Sequence, residues 1–225
     1  MLLRIRVRLP DRPGSLGKVA RILGAAGADV AQMAVLERDG GRALDDFTVG
    51  WPAGAGIGRL CDGLSSVPGV DIVGIWPTAE PQGACPDAAL IGQMAADPER
   101  GAVTLTDAVP ALLSADWAAL VEEGPEGPVP VHASVGGLAG TELPDLEPLR
   151  ARAFTAQDGT QFALCPVVTA SGGVLAVVVA RTGAPPFHRT EVFRLEQLVG
   201  AAEAVLGVRR SAGAGARTED LVRSS

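Results

Sequence analysis

Apolar and polar residues alternate from the start of the chain. Leu3, Ile5, Val7 and Leu9 fall on one side, and Arg4, Arg6 and Arg8 on the other. That period of two predicts a half-buried strand over Leu2–Leu9 with a solvated basic face. The period then changes. Leu16, Val19, Ala20, Leu23 and Ala26 recur at helical spacing from a start near Ser15, and Gly27 supplies the stop. Val30–Glu37 predicts a second strand, Arg38-Asp39-Gly40-Gly41 a hairpin turn, and Leu44–Trp51 a third strand with Phe47 and Val49 on one face. Ile57, Leu60, Cys61 and Leu64 form a short helical stripe, and Pro68-Gly69 turns the chain into a fourth strand, Val70–Trp76.

The order over residues 1–77 is βαββαβ, a ferredoxin-like plan of four antiparallel strands backed by two helices. Residues 78–86 are rich in Pro and small side chains and have no apolar period, as a linker requires. Beyond them Ala88, Ile91 and Ala95 suggest a short helix broken at Asp97-Pro98, and Gly101–Leu113 a second. Trp117–Glu122 and Val129–Ser134 read as strands joined by the turn Gly124–Pro128, followed by a loop from Gly136 to Pro148. Phe162–Val168 is a strand after the Asp158-Gly159 turn. Ser171-Gly172-Gly173 leads into Val174–Ala180, whose unbroken apolar run suits burial on both faces. Pro185-Pro186-Phe187 opens a final helix with Val192, Leu195, Leu198, Val199, Ala202 and Leu206 along one stripe. The fold class expected is α+β, with a second unit over residues 87–207 and a disordered polar tail over 208–225.

Composition narrows the function classes. The 47% hydrophobic content suffices for two cores, and the formal net charge of −7 argues against nonspecific binding to nucleic acid or anionic membrane. No run reaches the ~20 apolar residues that span a bilayer, and arginines interrupt the first strand where a signal peptide would be continuous. A cytoplasmic location is expected, with Cys61, Cys85 and Cys165 reduced: Cys61 and Cys165 as core fillers and Cys85 exposed. With only His132 and His188 available, neither a metal site nor a cofactor is expected.

The candidate chemistry lies in the first loop. Pro13 suits a first helical turn, Gly14 permits a bend and a close approach, and the helix start presents unpaired N–H groups that can hold a carboxylate. The same residues also read as structure alone. Pro13-Gly14 can simply shape a turn, Asp11 can accept backbone hydrogen bonds, and Arg12 can be a solvated charge.

Residues 2–77 resemble an ACT domain, an amino-acid-sensing module of metabolic regulators. The resemblance rests on Asp11-Arg12-Pro13-Gly14-Ser15-Leu16, on Gly24-Ala25-Ala26-Gly27-Ala28-Asp29-Val30, and on Arg42-Ala43-Leu44-Asp45-Asp46-Phe47-Thr48-Val49. The last stretch looks most like the ACT repeats of nitrogen-sensing uridylyltransferases. The resemblance implies a homodimer and a small-molecule effector, an amino acid or similar metabolite, held between the first loop of one copy and strand two of the other. The implied contacts are Asp11, Arg12, Pro13, Gly14, Ser15 and Leu16, faced by Val30, Ala31, Gln32 and Met33. Residues 87–207 are similar to a degenerate GAF domain through Asp158–Val167, Gly173–Arg181 and Pro186-Phe187, which implies a dimerisation or partner-contact role.

Catalytic constellations are thin. A hydrolase could be assembled from His132, Ser134 and the acidic residues Glu142, Asp145 and Glu147, but no nucleophile elbow accompanies them. Gly136-Gly137-Leu138-Ala139-Gly140 lacks the Lys of a phosphate loop. Asp45 and Asp46 are adjacent on a strand and point to opposite faces, so they cannot easily share a metal ion. A non-catalytic regulatory or sensor protein is the expected function. The alternatives are an assembly scaffold without ligand and a weak hydrolase around His132.

Overall fold

A computed structural model describes residues 1–79, 85–137, 142–169 and 173–205. Part of the expected linker (80–84), the Gly-rich stretch 138–141, Ser171-Gly172, Leu206 and the polar tail expected over 208–225 lie outside the described residues.

The first half contains β1 (Leu2–Pro10), α1 (Ser15–Ala25), β2 (Asp29–Asp39), β3 (Arg42–Gly50), α2 (Gly58–Ser65) and β4 (Asp71–Pro77). The strands form an antiparallel sheet in the order β2-β3-β1-β4, the arrangement the βαββαβ plan requires. Leu3, Ile5, Val7 and Leu9 of β1 pack with Phe47 and Val49 against Val19 and Leu23 of α1 and Leu60 and Leu64 of α2. The stripe expected along α1 is turned. Ser15, Val19 and Leu23 are buried, whereas Leu16 and Ala20 are exposed. These two lie one residue further round the helix, about 100° from the buried row. Ile57 precedes α2 and is likewise exposed.

The second half contains α3 (Pro86–Ala96), α4 (Gly101–Leu113), β5 (Trp117–Gly124), β6 (Gly127–Ala133), β7 (Arg152–Thr155), β8 (Gln161–Val168), β9 (Val174–Arg181) and α5 (Arg189–Val205). Its antiparallel sheet runs β6-β5-β9-β8-β7. Val177 and Val179 of β9 face α3, α4 and α5, while Val178 and Ala180 face Trp117, Leu146 and Phe162, so the strand is buried on both sides. Trp117 and Phe154 pack on Phe162 at ring-centroid distances of 6.1 and 5.4 Å and fill that second face. One expectation is corrected here, and one strand was not expected. The buried face of α3 is Leu90 and Met94, not Ala88, Ile91 and Ala95. The four-residue edge strand β7 has no apolar alternation of its own to announce it.

The largest correction concerns the arginine face of β1. Arg6 is 2% exposed and belongs to a buried ion network rather than to a solvated face. Its guanidinium donates to Asp46 Oδ1 at 2.7 Å and Oδ2 at 2.8 Å, a bidentate pair, and to Glu191 Oε2 at 3.0 Å. Glu191, from α5, also accepts from Arg181 of β9 at 2.8 and 3.2 Å and from the His188 backbone N–H at 2.7 Å. Both guanidinium groups lie 5.3 Å from the ring centroid of Trp76 on β4. The second half therefore covers the sheet face that the helices of the first half leave open. Gly74 permits this approach, since a Cβ there would overlap the ring of Pro185. Glu37 of β2 adds a contact to His188 Nε2 at 3.3 Å and an ion pair to Arg189 at 2.9 Å.

Burial opposes the ionised form of Glu191, but Arg181 and Arg6 outweigh it and hold the carboxyl below its ordinary range. A depressed carboxyl contributes stability above its unfolded pKa, about 4.3, and that stability is lost as pH falls through the folded value. Glu191→Gln is expected to cost about 3–5 kcal/mol at pH 7 in denaturant unfolding, because it leaves the buried Arg181 guanidinium without its carboxylate and Arg6 with Asp46 alone. The variant should also lose part of the wild type's destabilisation in acid.

Candidate functional site

The loop between β1 and α1 is shaped by its own sequence. The Ser15 N–H donates to the Arg12 carbonyl at 3.2 Å, closing a turn with Pro13 and Gly14 at its centre. Gly14 has φ 86° and ψ −12°, the values the third residue of a type II turn requires. Pro13 thus precedes the helix cap instead of occupying the first helical turn. The turn delivers α1 with Gly14 as N-cap, no side-chain cap and no acidic residue in its first turn. Among the described residues, no intramolecular hydrogen bond engages the Leu16 or Gly17 N–H. The positive end of the helix is left open.

Beneath this end lies a cavity of about 360 Å³. All six residues expected from the first loop, Asp11, Arg12, Pro13, Gly14, Ser15 and Leu16, line it. Of the four expected from strand two, only Met33 does; Val30, Ala31 and Gln32 stand exposed on β2 away from it. The register gives the reason. Val30 pairs with Val49 and Gln32 with Thr48, at the far end of β3, whereas the cavity sits at the end where Leu9 pairs with Ala43. The wall on that side is Val35 and Arg38 of β2 with Ala43 and Asp45 of β3. A hairpin closing at Gly40-Gly41 places these residues together, so the turn itself was the signal that could have identified them.

Asp45 is the charged residue buried in this wall. It is 3% exposed, and its Oδ1 has no hydrogen-bond partner. Burial pushes its carboxyl above the ordinary aspartate range; Arg38 pulls the other way, and Asp11 and Asp46 add to the rise. Arg38 itself lies at the surface, 3.8 Å from Asp11. Asp46, one residue on, points to the opposite face and into the ion network with Arg6.

The residues of the alternative hydrolase do not meet. Ser134 is buried and its hydroxyl accepts from the Ala118 N–H at 2.9 Å, while His132 Nε2 lies 2.8 Å from Asp107 on α4. Among the described residues, no group of three or more His, Cys, Asp or Glu side chains could hold a metal ion, and no helix is long and apolar enough to cross a membrane. Cys165 is buried and Cys85 exposed, as expected; Cys61 is half-buried.

The ACT domain family model matches residues 3–50, which carry β1, α1, β2 and β3. No curated protein matches the chain. Among solved structures, the chain is similar to a formyltetrahydrofolate deformylase from Pseudomonas putida, at 15% identity and TM-score 0.30, over 43% of this chain and 39% of that one. It therefore spans well under half the length of that protein. It is similar to a GAF domain/HD domain protein from Geobacter sulfurreducens, at 19% identity and TM-score 0.38, over 52% of this chain and 95% of that one. A third likeness is to the regulatory subunit of aspartate kinase from Thermus thermophilus, at 13% identity and TM-score 0.31, over 91% of each chain.

Two outcomes are expected from this geometry. Gly14→Ala should cost about 1–2 kcal/mol in thermal unfolding through its left-handed backbone alone, because nothing lies within 4 Å of the added Cβ. Asp45→Asn should melt above the wild type at pH 7. A raised folded pKa means stability is fully present below the unfolded value, about 3.9, and is lost as pH rises through the folded one. The advantage of the variant should therefore shrink as the pH is lowered.

Proposed function

We propose that this chain is a non-catalytic regulatory protein whose ACT domain binds a small metabolite of the amino-acid class. On this reading residues 1–77 are the sensing unit, 78–86 a connector, and 87–207 a GAF-like unit that carries the response to a partner or a second copy. The observation that supports it best is the cavity beneath the uncapped start of α1, lined by the whole of the Asp11–Leu16 loop. Unpaired amides and the helix dipole favour a carboxylate there. Arg12, exposed at the rim, would reinforce that preference.

A homodimer is part of the proposal. The second half covers the open face of the first sheet, and the β2 edge, with Val30 and Val35 each 40% exposed, would offer a place for another copy. Val30, Ala31 and Gln32, remote from the cavity of their own chain, would then serve in that pairing.

The test is a thermal-shift screen of the protein against amino acids, cyclic nucleotides and purines. A ligand at 100 times its dissociation constant should add about 2.7 kcal/mol. One amino acid should stabilise the wild type and lose most of that effect with Arg12→Ala. A screen in which nothing shifts the melting temperature, with the protein still dimeric by light scattering, would favour an assembly scaffold instead.

A further inference from the structure

The two halves meet without sharing a core. Among the described residues the buried apolar side chains form one cluster in the first half and two in the second, and none crosses the seam. What crosses it is polar. Arg6 donates to Glu191 at 3.0 Å and to the Pro186 carbonyl at 3.4 Å, Glu37 meets His188 and Arg189, and the Thr78 hydroxyl donates to Ser114 Oγ at 2.6 Å. Trp76 offers its ring to Arg6 and Arg181, and its Nε1–H is buried with no acceptor. The chain itself passes from one half to the other once, between β4 and α3.

The buried charges are paired so that separation orphans none of them. Arg6 keeps both bonds to Asp46, inside the first half, and Arg181 keeps both bonds to Glu191, inside the second. The ion pair lost at the centre, Arg6 with Glu191, joins two groups that each retain another partner. Desolvation offsets much of the attraction among these ions while the seam is shut, and rehydration removes that cost when it opens. Solvent also supplies the acceptor that Trp76 Nε1 lacks. Unfolding either half, by contrast, exposes a continuous apolar core that opening the seam leaves covered.

We propose that the seam is a latch: the second half detaches from the first as an intact body, uncovering the sheet face that carries Arg6, Asp46 and Trp76 before either core is disturbed. A polar contact joined by a single connection permits such motion, whereas a shared apolar core would part only on unfolding. The latch needs no occupant of the cavity, so it stands apart from the ligand-binding reading. Gly74 gives a way to open it selectively. A Cβ there would overlap the ring of Pro185 across the seam, and its nearest atoms would all belong to Pro185 and Trp76. Gly74→Ala therefore wedges the seam and spares both cores. The tryptophans report on three separate places: Trp51 in the core of the first half, Trp117 in a cluster of the second, and Trp76 at the seam, 3% exposed.

The experiment applies acrylamide quenching and small-angle scattering to the full chain, as wild type and as Gly74→Ala, each set against its Trp76→Phe counterpart to isolate the seam tryptophan. Gly74→Ala is expected to raise the quenching constant of Trp76 at least about 3-fold and to enlarge the radius of gyration. Far-UV circular dichroism and the quenching of Trp51 and Trp117 should stay as in the wild type. In a urea titration of the wild type, Trp76 should become accessible at a lower concentration than the one at which Trp51, Trp117 and the dichroism report unfolding. A folded Gly74→Ala chain whose Trp76 stays shielded overturns the proposal. So does a wild-type titration in which all three tryptophans are exposed together, and that titration decides alone if the variant does not fold.

Discussion

The arrangement of this molecule depends on one buried carboxylate, Glu191, held by two guanidinium groups from different sheets. Arg6 comes from the middle of the first sheet and Arg181 from the end of a central strand of the second. Each also makes other bonds, Arg6 to Asp46 and Arg181 to the carbonyls of Leu113, Pro185 and Pro186, so the charges are fully engaged. Trp76 and Phe187 supply aromatic faces to the same cations. Such a cluster gains little over a well-packed apolar contact, but it is intolerant of any arrangement in which one member is missing. Its value here is positional: it sets one docking of the second half on the first.

That docking explains where a reading of the sequence succeeds and where it stops. The alternation in β1 and the hairpin at Gly40-Gly41 are local patterns, and each appears where its spacing places it, whereas of the stripe expected along α2 only Leu60 and Leu64 are buried. Gly101–Leu113 is a helix over the whole expected range, and the apolar run at Val174 is the doubly buried strand it resembles. Arg6 was not legible, because alternation says only that it faces away from Ile5 and Val7. Whether that face meets water or another part of the chain is decided by residues more than 170 positions away. The α3 stripe failed for a related reason. With alanines nearly all round, the helix is positioned by the two bulky residues that α4 and α5 can receive, Leu90 and Met94.

The cavity was half legible. The first-loop residues share one turn and could be assigned from Pro13-Gly14 and the helix that follows. The opposite wall depends on register between strands, and the resemblance placed it at the start of β2, near Gln32. Counting outward from the hairpin instead sets Val35 opposite Asp45. The two acidic neighbours on β3 were visible as a pair, but only as a poor metal site. Their separate assignments, Asp45 to the cavity and Asp46 to Arg6, needed the sheet to have something on both faces.

That division has a consequence for how the two halves communicate. Consecutive residues of β3 have their carboxylates on opposite sides of one strand, and consecutive residues of β2, Glu37 and Arg38, do the same with an anion and a cation. A strand has no slack between neighbouring Cα atoms, only about 3.8 Å of rigid peptide. Any displacement of β3 that changes the surroundings of Asp45 is therefore felt at Arg6 and Glu191, with no intervening relay. For a ligand bound there as proposed above, thermodynamic reciprocity would apply in both directions: whatever loosened or tightened the seam between the halves would alter affinity in the cavity by the same factor that occupancy of the cavity altered the seam.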